Sequence, residues 1–434
     1  MSFGDLMDTN ADIKNIDIGR LRQICLEMWD STSDDFPMLH RRYTDSDHAA
    51  NHARLKTYIG DIVKLVGGFD GKTGQDPVAW GSCLKRLIYE SGISMAGLDD
   101  PGMKLLLNGG FCEATADFIE QARAFDMSFR LDDIFQSLRN VWIMNCIQVL
   151  LGIGISVTPS VFAYSMLYPY TDNFLDAGKV SERQKRETND RLEKRLGGEP
   201  VRSETLLENR LFKLVEMIEG QFDRKLFPMV YRSLIGIHAA QVRSMRQDKG
   251  SPLSLEEIKD ISAEKGGCSV LADGYLVKGS LTEDEAVFIF CFGMLLQLVD
   301  DLQDAADDRR NGHSTLFSVN GSRTSVQSIT NRLINYTCRL LEDNRLFAGD
   351  TAVTMMRTIK NSIILLIMGA AACNSRIYER AYLEELERYC PVSFKELKGC
   401  YSRVEREYLK LKMKLAVKSL EVLMARAFAA GILV

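Results

Sequence analysis

Residues 286 to 313 read AVFIFCFGMLLQLVDDLQDAADDRRNGH and join a long apolar run directly to a cluster of aspartates. An α-helix turns once in about 3.6 residues, so Asp300, Asp304 and Asp307 share one face of a helix predicted over 282–308. Carboxylates spaced at i,i+4 repel one another and destabilise a helix by about 0.2–0.5 kcal/mol per pair. Because fourteen uncharged residues precede the cluster, the pattern indicates a bound cation rather than a solvated surface.

Helical periodicity extends outward from this stretch in both directions, and no two β-branched runs are joined by an Asn-Gly or Asp-Gly turn, so the sequence predicts an all-α fold. Residues 1–16 are predicted to be flexible, and 17–434 to form a single α-helical domain with its core motifs in 130–320. The predicted helices are 18–30, 45–66, 79–93, 102–124, 131–152, 158–176, 182–195, 204–220, 222–246, 254–277, 282–308, 325–344, 350–372, 378–388 and 393–430.

Composition excludes several classes of protein. The net charge of −5 gives no basic surface for nucleic acid, so no nucleic-acid partner is expected. The ten cysteines lack a CxxC motif or a regular spacing, which is typical of reduced thiols in a cytoplasmic protein. The N-terminus has no signal-peptide pattern, and the apolar stretch 141–157 contains Asn145 and Gln148, which favours a buried core helix over a membrane span.

A second carboxylate pair ends another apolar helix, SVFAYSMLYPYTDNFLDAGKV, residues 160 to 180. Asp172 and Asp176 are four residues apart and share a face, with Asn173 beside them and Gly178 suited to end the helix. Two helices thus carry acids at their C-terminal ends, where the backbone dipole disfavours anions. Clustered carboxylates suit Mg²⁺, which usually completes its coordination with waters and substrate phosphate oxygens. The sequence therefore predicts a diphosphate held by Mg²⁺ between two aspartate clusters, with a hydrocarbon tail in an apolar cavity.

These motifs resemble known families. FGMLLQLVDDLQD (292–304) resembles the second aspartate-rich motif of trans-isoprenyl diphosphate synthases, and YTDNFLD (170–176) resembles a variant of the first motif of class I terpenoid synthases. RNVW, YPYTDN, IHAAQVRSM, EKGGCSVLADGYL and GHSTLFS follow in an order most similar to the bacterial large-terpene synthases, the tetraprenyl-β-curcumene synthase family. The resemblance covers roughly residues 130 to 320. The first motif departs from the usual double aspartate, and no Asp-x-Asp-Asp motif is present, which argues against protonation-initiated cyclisation.

The resemblance implies a Mg²⁺-dependent terpene synthase with three ions and a prenyl diphosphate substrate. Its implied metal ligands and catalytic residues are Asp172, Asp176, Asp300, Asp301 and Asp304. In the segment KGGCS, Gly266 and Gly267 are expected to break a helix and turn Lys265 toward the diphosphate. The further substrate-binding candidates are Arg232, Arg243, His238, Gln241, Gln297, Tyr168 and Asn173.

Several alternatives stay open. A chain-elongating prenyltransferase needs a second, basic site, for which Arg41 and Arg42 are the candidates, and a non-catalytic prenyl-lipid binding protein is a third hypothesis. Asp45, His48 and His52 have a spacing that could hold Zn²⁺. Asp132 and Asp133 are interpreted as acids that favour a helix N-terminus. The basic C-terminal helix predicts either packing on the bundle or peripheral contact with a membrane surface. The oligomeric state is left as monomer or homodimer.

Overall fold

The computed structural model describes residues 17–67, 77–95, 98–175, 180–248, 253–319, 322–342 and 346–414. These ranges contain helices and no β-strand, so the predicted all-α fold is confirmed. The α-helices are α1 (Ile18–Asp30), α2 (Asp45–Gly67), α3 (Pro77–Met95), α4 (Asp100–Asn108), α5 (Phe111–Phe125), α6 (Leu131–Leu150), α7 (Pro159–Leu175), α8 (Glu182–Leu196), α9 (Leu206–Gln221), α10 (Pro228–Ser244), α11 (Leu255–Lys278), α12 (Glu283–Gln303), α13 (Ala305–Asn311), α14 (Arg323–Glu342), α15 (Asp350–Cys373), α16 (Arg380–Glu387) and α17 (Phe394–Lys414).

The hairpin of α11 and α12 forms the centre of the fold, and local sequence signals define its ends. Ser254 and Thr282 begin the two helices, each in a capping box with the glutamate three residues later. Gly279 ends α11 with a φ of 80°, a conformation that favours glycine. Nearly every residue of α12 from Ala286 to Leu295 is buried. The defined ends of the two helices and the buried residues of α12 therefore fix the position of α12 along α11.

The helix break predicted at Gly266 and Gly267 is wrong, because α11 continues through both residues. A Cβ at Gly266 would collide with the backbone carbonyl of Gly293 on α12, and a Cβ at Gly293 would collide with the carbonyl of Gly266. A Cβ at Gly267 would meet the ring of Phe290. The glycines therefore serve close helix packing, which outweighs their low helix propensity of about 1 kcal/mol each.

The helix predicted over 282–308 is interrupted. α12 ends at Gln303, and Asp304, with φ −90° and ψ 2°, joins it to the short helix α13. The amide of Asp304 still donates to the carbonyl of Asp300, 2.9 Å away. Asp307 and Asp308 belong to α13, so the aspartate cluster spans a bend rather than one helix face.

Helices α6 and α7 run antiparallel beside this hairpin. Gln136 of α6 contacts Asp172 near the end of α7, and Asn140, one turn later, contacts Ser165 of α7. The core helix predicted for 141–157 is confirmed in part, since α6 is buried to Leu150 and then ends; the polar side chains of Asn145 and Gln148 are buried and bonded to each other.

Asp132 and Asp133 lie in the first turn of α6, as predicted. Asp133 is not the N-cap residue, which is Arg130. Its carboxylate forms two hydrogen bonds with the guanidinium of Arg130, at 2.9 and 3.0 Å, and accepts a third from Asn173 of α7. No side chain caps the N-terminus of α6. Asp133 therefore joins α6 to α7 instead of satisfying its own helix terminus.

Helix α1 packs across α11 and α12. The thiol of Cys25 lies 3.2 Å from the sulfur of Met294, and Arg22 pairs with Asp260 and Glu264 of α11. The ten cysteines form no disulfide. α15 is long and apolar enough to cross a membrane by length and composition, but 61% of its most apolar window is buried inside the protein, as in a core helix. Residues 415–434, which include most of the predicted membrane-contact segment, lie outside the described residues.

Candidate active site

A cavity of about 220 Å³ lies among α6, α7, α8, α10, α11 and α12. This volume far exceeds the ~10–15 Å³ that one water needs, so the cavity has room for an organic ligand. Its apolar lining comes from Ile143, Leu167, Leu192, Leu196, Leu234, Ile237, Val270 and Leu296. The predicted apolar chamber between helices is therefore present in the described part of the chain.

Charged groups gather where α12 and α6 meet the cavity. Asp300 lines it, and its Oδ1 lies 3.0 Å from Nη2 of Arg139 on α6. Lys265 and Gln297 line the same cavity from α11 and α12. The structure thus places one carboxylate, two cationic side chains and one amide in the polar part of the cavity wall. We call this part the mouth, and it consists of Asp300, Arg139, Lys265 and Gln297.

One residue of the second predicted cluster, Asp172 on α7, contacts a residue of the cavity wall. Asp172 accepts a hydrogen bond of 3.0 Å from Gln136, and Gln136 itself lines the cavity. Thr171, the preceding residue, also lines it. Asp176 lies outside the described residues, so its predicted role stays a prediction. Asn173 donates to Asp133 and is not among the cavity-lining residues.

The aspartates that follow the apolar run of α12 occupy different surroundings. Asp301 is buried and accepts hydrogen bonds from Gln297 and Ser262, which direct its carboxyl group into the protein. Burial raises the pKa of Asp301 to about 6. Desolvation, followed by repulsion from Asp300 and Asp308, raises the pKa of Asp304 to about 6. Asp300 and Asp304 are therefore accessible acids held close to other negative charge, whereas Asp301 is an internal one.

Five of the predicted substrate-binding side chains line the cavity, namely Tyr168, His238, Gln241, Lys265 and Gln297. Burial lowers the pKa of His238, although Glu193, Asp190 and the backbone of Asn189 on α8 oppose this effect. The imidazole of His238 is therefore neutral, lines the cavity and contacts the backbone of Asn189 on α8.

The two predicted arginines do not line the cavity. Arg243 forms ion pairs with Asp260 and Glu264, the same carboxylates that Arg22 contacts, so its charge is neutralised between α1, α10 and α11. Arg232 is exposed and lies 3.9 Å from the sulfur of Met229. The sequence could not show the pairing of Arg243, because its partners are brought together by helix packing.

Sequence reasoning missed several polar residues of the cavity wall. Gln136 and Asn140 are four residues apart on α6 and share a face, and Ser269 lies one turn beyond Lys265 on α11. The available signal was this i,i+4 spacing of polar residues within otherwise apolar helices.

The donor groups fit Mg²⁺ in type. Asp300 and Asp304 offer accessible carboxylate oxygens in a region where negative charge is already crowded, as the raised pKa of Asp304 shows. Among the described residues no three His, Cys, Asp or Glu side chains form a metal-binding group. Mg²⁺ bound with a diphosphate commonly uses only one or two carboxylates together with waters and phosphate oxygens, so such a group is not required.

The alternative zinc site does not form within α2. His48 Nε2 lies 2.9 Å from the backbone oxygen of Cys390, and His52 Nδ1 lies 2.8 Å from Glu396 of α17. These imidazoles thus join α2 to the C-terminal part of the chain.

Comparison with known proteins adds distant similarities. No family model and no curated protein matches the sequence. A geranyltransferase from Legionella pneumophila has 11% identity and a TM-score of 0.34, over 79% of this chain and 97% of that one. A geranylgeranyl pyrophosphate synthase has 13% identity and a TM-score of 0.27, over 87% of this chain and 97% of that one. Similarities this distant carry no weight for the activity, which has to be argued from the site.

Proposed function

We propose that this protein is a Mg²⁺-dependent class I terpene synthase, which ionises a linear prenyl diphosphate and converts the cation to a linear or cyclic terpene. The observation that carries the proposal is the mouth itself: Asp300, Arg139 and Lys265 line a cavity whose exposed wall is mainly apolar. An anionic head with a hydrocarbon tail matches this division of polar and apolar surface.

In this proposal Asp172, Asp300 and Asp304 hold the metal. Bound Mg²⁺ would neutralise charge that develops on the diphosphate as the carbon–oxygen bond breaks. Arg139 and Lys265 donate hydrogen bonds to the diphosphate oxygens, and charge-assisted hydrogen bonds of this kind are among the stronger ones in proteins. Arg139 now pairs with Oδ1 of Asp300, so this ion pair would have to open for that oxygen to reach the metal. The electron pair of the broken bond stays on the diphosphate.

The remaining steps depend on the cavity wall. Leu192, Leu234 and Ile237 exclude water, which would otherwise capture the cation as an alcohol. The rings of Tyr164 and Tyr168 offer π-faces to positive charge. Loss of a proton from a carbon next to the cationic centre forms a double bond, and the released diphosphate accepts that proton.

A single substrate is favoured over chain elongation by the position of the N-terminal basic pair. Arg42 pairs with Glu385, and Arg41 lies over the ring of Tyr43. Neither lines the cavity. The elongation alternative therefore lacks support from the residues on which it depended.

The test incubates the purified protein with farnesyl, geranylgeranyl or geranylfarnesyl diphosphate, with and without isopentenyl diphosphate, in Mg²⁺ or EDTA. Mass spectrometry should detect a Mg²⁺-dependent hydrocarbon from one diphosphate alone, and Asp300→Asn should abolish it. Asp117→Asn is the matched control, because Asp117 is exposed on α5 outside the cavity. A longer diphosphate formed only with isopentenyl diphosphate would establish elongation, and no product from any substrate would contradict both activities.

A further inference from the structure

A buried polar cluster lies behind the cavity wall, and on α11 it is further along the helix than the mouth residue Lys265. It consists of Asn140 of α6, Ser165 of α7 and Asp273 of α11, and we call it the inner polar cluster. Asp273 and Ser165 are 0% exposed. Along α11, Asp273 is eight residues beyond Lys265, about 12 Å at 1.5 Å per residue. The proposed diphosphate chemistry makes no use of these groups.

Asn140 is the member of the cluster that lines the cavity. Its Nδ2 donates to Ser165 Oγ at 3.2 Å and to Asp273 Oδ1 at 3.1 Å, so both amide hydrogens are used inside the protein. Within the described residues no donor reaches the carbonyl oxygen of Asn140. That oxygen is consequently available to a ligand in the cavity.

In the structure the Asn140 amide nitrogen donates to Ser165 on one side and to Asp273 on the other. Ser165 Oγ donates toward the sulfur of Met144, 3.8 Å away, and therefore acts as an acceptor toward Asn140. Burial raises the pKa of Asp273 well above the usual carboxyl range, and the hydrogen bond from Asn140 opposes this shift. When the carboxyl group is neutral with its proton on Oδ2, Oδ1 still accepts from Asn140.

The other oxygen of Asp273, Oδ2, is buried without a hydrogen-bond partner among the described residues. A polar group left in this state costs roughly 1–3 kcal/mol. A leucine at this position would avoid that cost. The cluster is therefore not explained by stability alone. The one group of the cluster that a ligand in the cavity can contact is the carbonyl oxygen of Asn140.

We propose that Asn140 is a ligand-contacting residue whose carbonyl oxygen stabilises positive charge inside the cavity, and that Asp273 is the positioning residue that holds it in place. The role rests on the proposed function, because ionisation of a prenyl diphosphate creates a cation in a cavity whose exposed wall is mainly apolar. The carbonyl dipole, with its negative end toward the cavity, favours charge that has moved along the hydrocarbon chain, away from the diphosphate. The ligand class is a hydrocarbon chain that carries a positive centre.

The test measures binding of two chain analogues by calorimetry, one with a tertiary ammonium in its second isoprene unit and one a neutral alcohol of the same shape. Each is titrated with and without inorganic diphosphate and Mg²⁺. The wild-type protein should prefer the ammonium analogue. Asn140→Leu should reduce this preference by about tenfold or more, since a hydrogen bond or dipole contact with a charge is worth roughly 1.5–3 kcal/mol. Affinity for the neutral alcohol should fall less, because an uncharged hydrogen bond with the Asn140 carbonyl oxygen is weaker than one with a charge.

Asp273 is tested by a conservative and a disruptive variant. Asp273→Asn retains an oxygen that accepts from Asn140 and should keep the ammonium preference, whereas Asp273→Leu should lose it. A purely structural role would instead change the affinities for both analogues together. If Asp273→Leu does not fold, Asn140→Leu and Asp273→Asn still decide the matter.

Two results would overturn the inference: a wild-type protein without ammonium preference, or an Asn140→Leu variant that keeps it. Failure of the proposed function has a different signature, since inorganic diphosphate would then show no Mg²⁺-dependent binding at all. The ammonium preference is measured without diphosphate as well, so the two failures are distinguishable.

Discussion

Replacement of Asp273 with asparagine should remove a loss of stability that the wild-type protein suffers as the pH rises. Asp273 is fully buried, and this burial raises its pKa well above the usual carboxyl range. An unfolded chain releases the proton near its ordinary pKa of about 3.9, whereas the folded protein retains it to higher pH. The stabilising contribution of the bound proton is therefore complete below pH ~4 and declines as the pH rises toward the pKa of the folded state.

The size of the effect follows from a difference of one proton. Each pH unit within this window changes the free energy of unfolding by about 1.4 kcal/mol. Between pH 5 and pH 7 the wild-type protein should lose up to ~2.7 kcal/mol relative to Asp273→Asn. The variant also carries an offset that does not depend on pH, because its amide nitrogen would stand at the position of Oδ2, which has no described partner.

The assay is equilibrium urea unfolding of both proteins at several pH values from 5 to 7. The contributions of all other titrating groups cancel when the free energies of unfolding of the two proteins are subtracted at each pH. Asp126→Asn is the control: burial opposes ionisation of Asp126, but hydrogen bonds from Ser128 and Tyr170 outweigh it and lower its pKa. The stability that Asp126 contributes is lost only as the pH falls through that low pKa, so its difference should be constant over this range. A constant difference for Asp273→Asn as well would refute the reasoning.

Two further predictions concern packing and charge. Gly266→Ala should destabilise the protein by about 1–3 kcal/mol in urea unfolding, because its methyl group would collide with the carbonyl of Gly293, whereas Gly60→Ala, with open space around it, should be neutral or stabilising. Arg139→Gln should weaken Mg²⁺-dependent binding of inorganic diphosphate about tenfold or more, measured by calorimetry. Arg243→Gln, which breaks pairs outside the cavity, should lower stability and leave that affinity within twofold; the reverse pattern would contradict the assignment.

Much of this architecture could be predicted from local sequence. Apolar periodicity gave the helical class, and the acids behind uncharged runs indicated where α7 and α12 end. The bend at Asp304 could not be foreseen, because the following residues AADD favour a helix and only the cap geometry separates α12 from α13. The continuity of α11 through two glycines depends on its contact with Gly293. Intrinsic propensity is a weak guide wherever packing decides.

The acidic residues of the candidate site could be predicted from the sequence more readily than its neutral residues. Asp300 lines the cavity and Asp172 contacts a lining residue, as a charge pattern can suggest. Arg243 was misplaced because its partners Asp260 and Glu264 also belong to a network with α1, which is remote in sequence. The sequence marks Asn140 only by its polar spacing from Gln136, and its importance appears only when its two hydrogen-bond partners are known.

The most direct test of the central claim is a calorimetric titration of inorganic diphosphate into the wild-type protein, Asp300→Asn and the control Asp117→Asn, with Mg²⁺ and with EDTA. The wild-type and control proteins should bind diphosphate only when Mg²⁺ is present. Asp300→Asn should bind it at least tenfold more weakly, since it loses a charged ligand worth roughly 1.5–3 kcal/mol. Binding that is equal in EDTA, or unchanged in Asp300→Asn, would contradict the central claim.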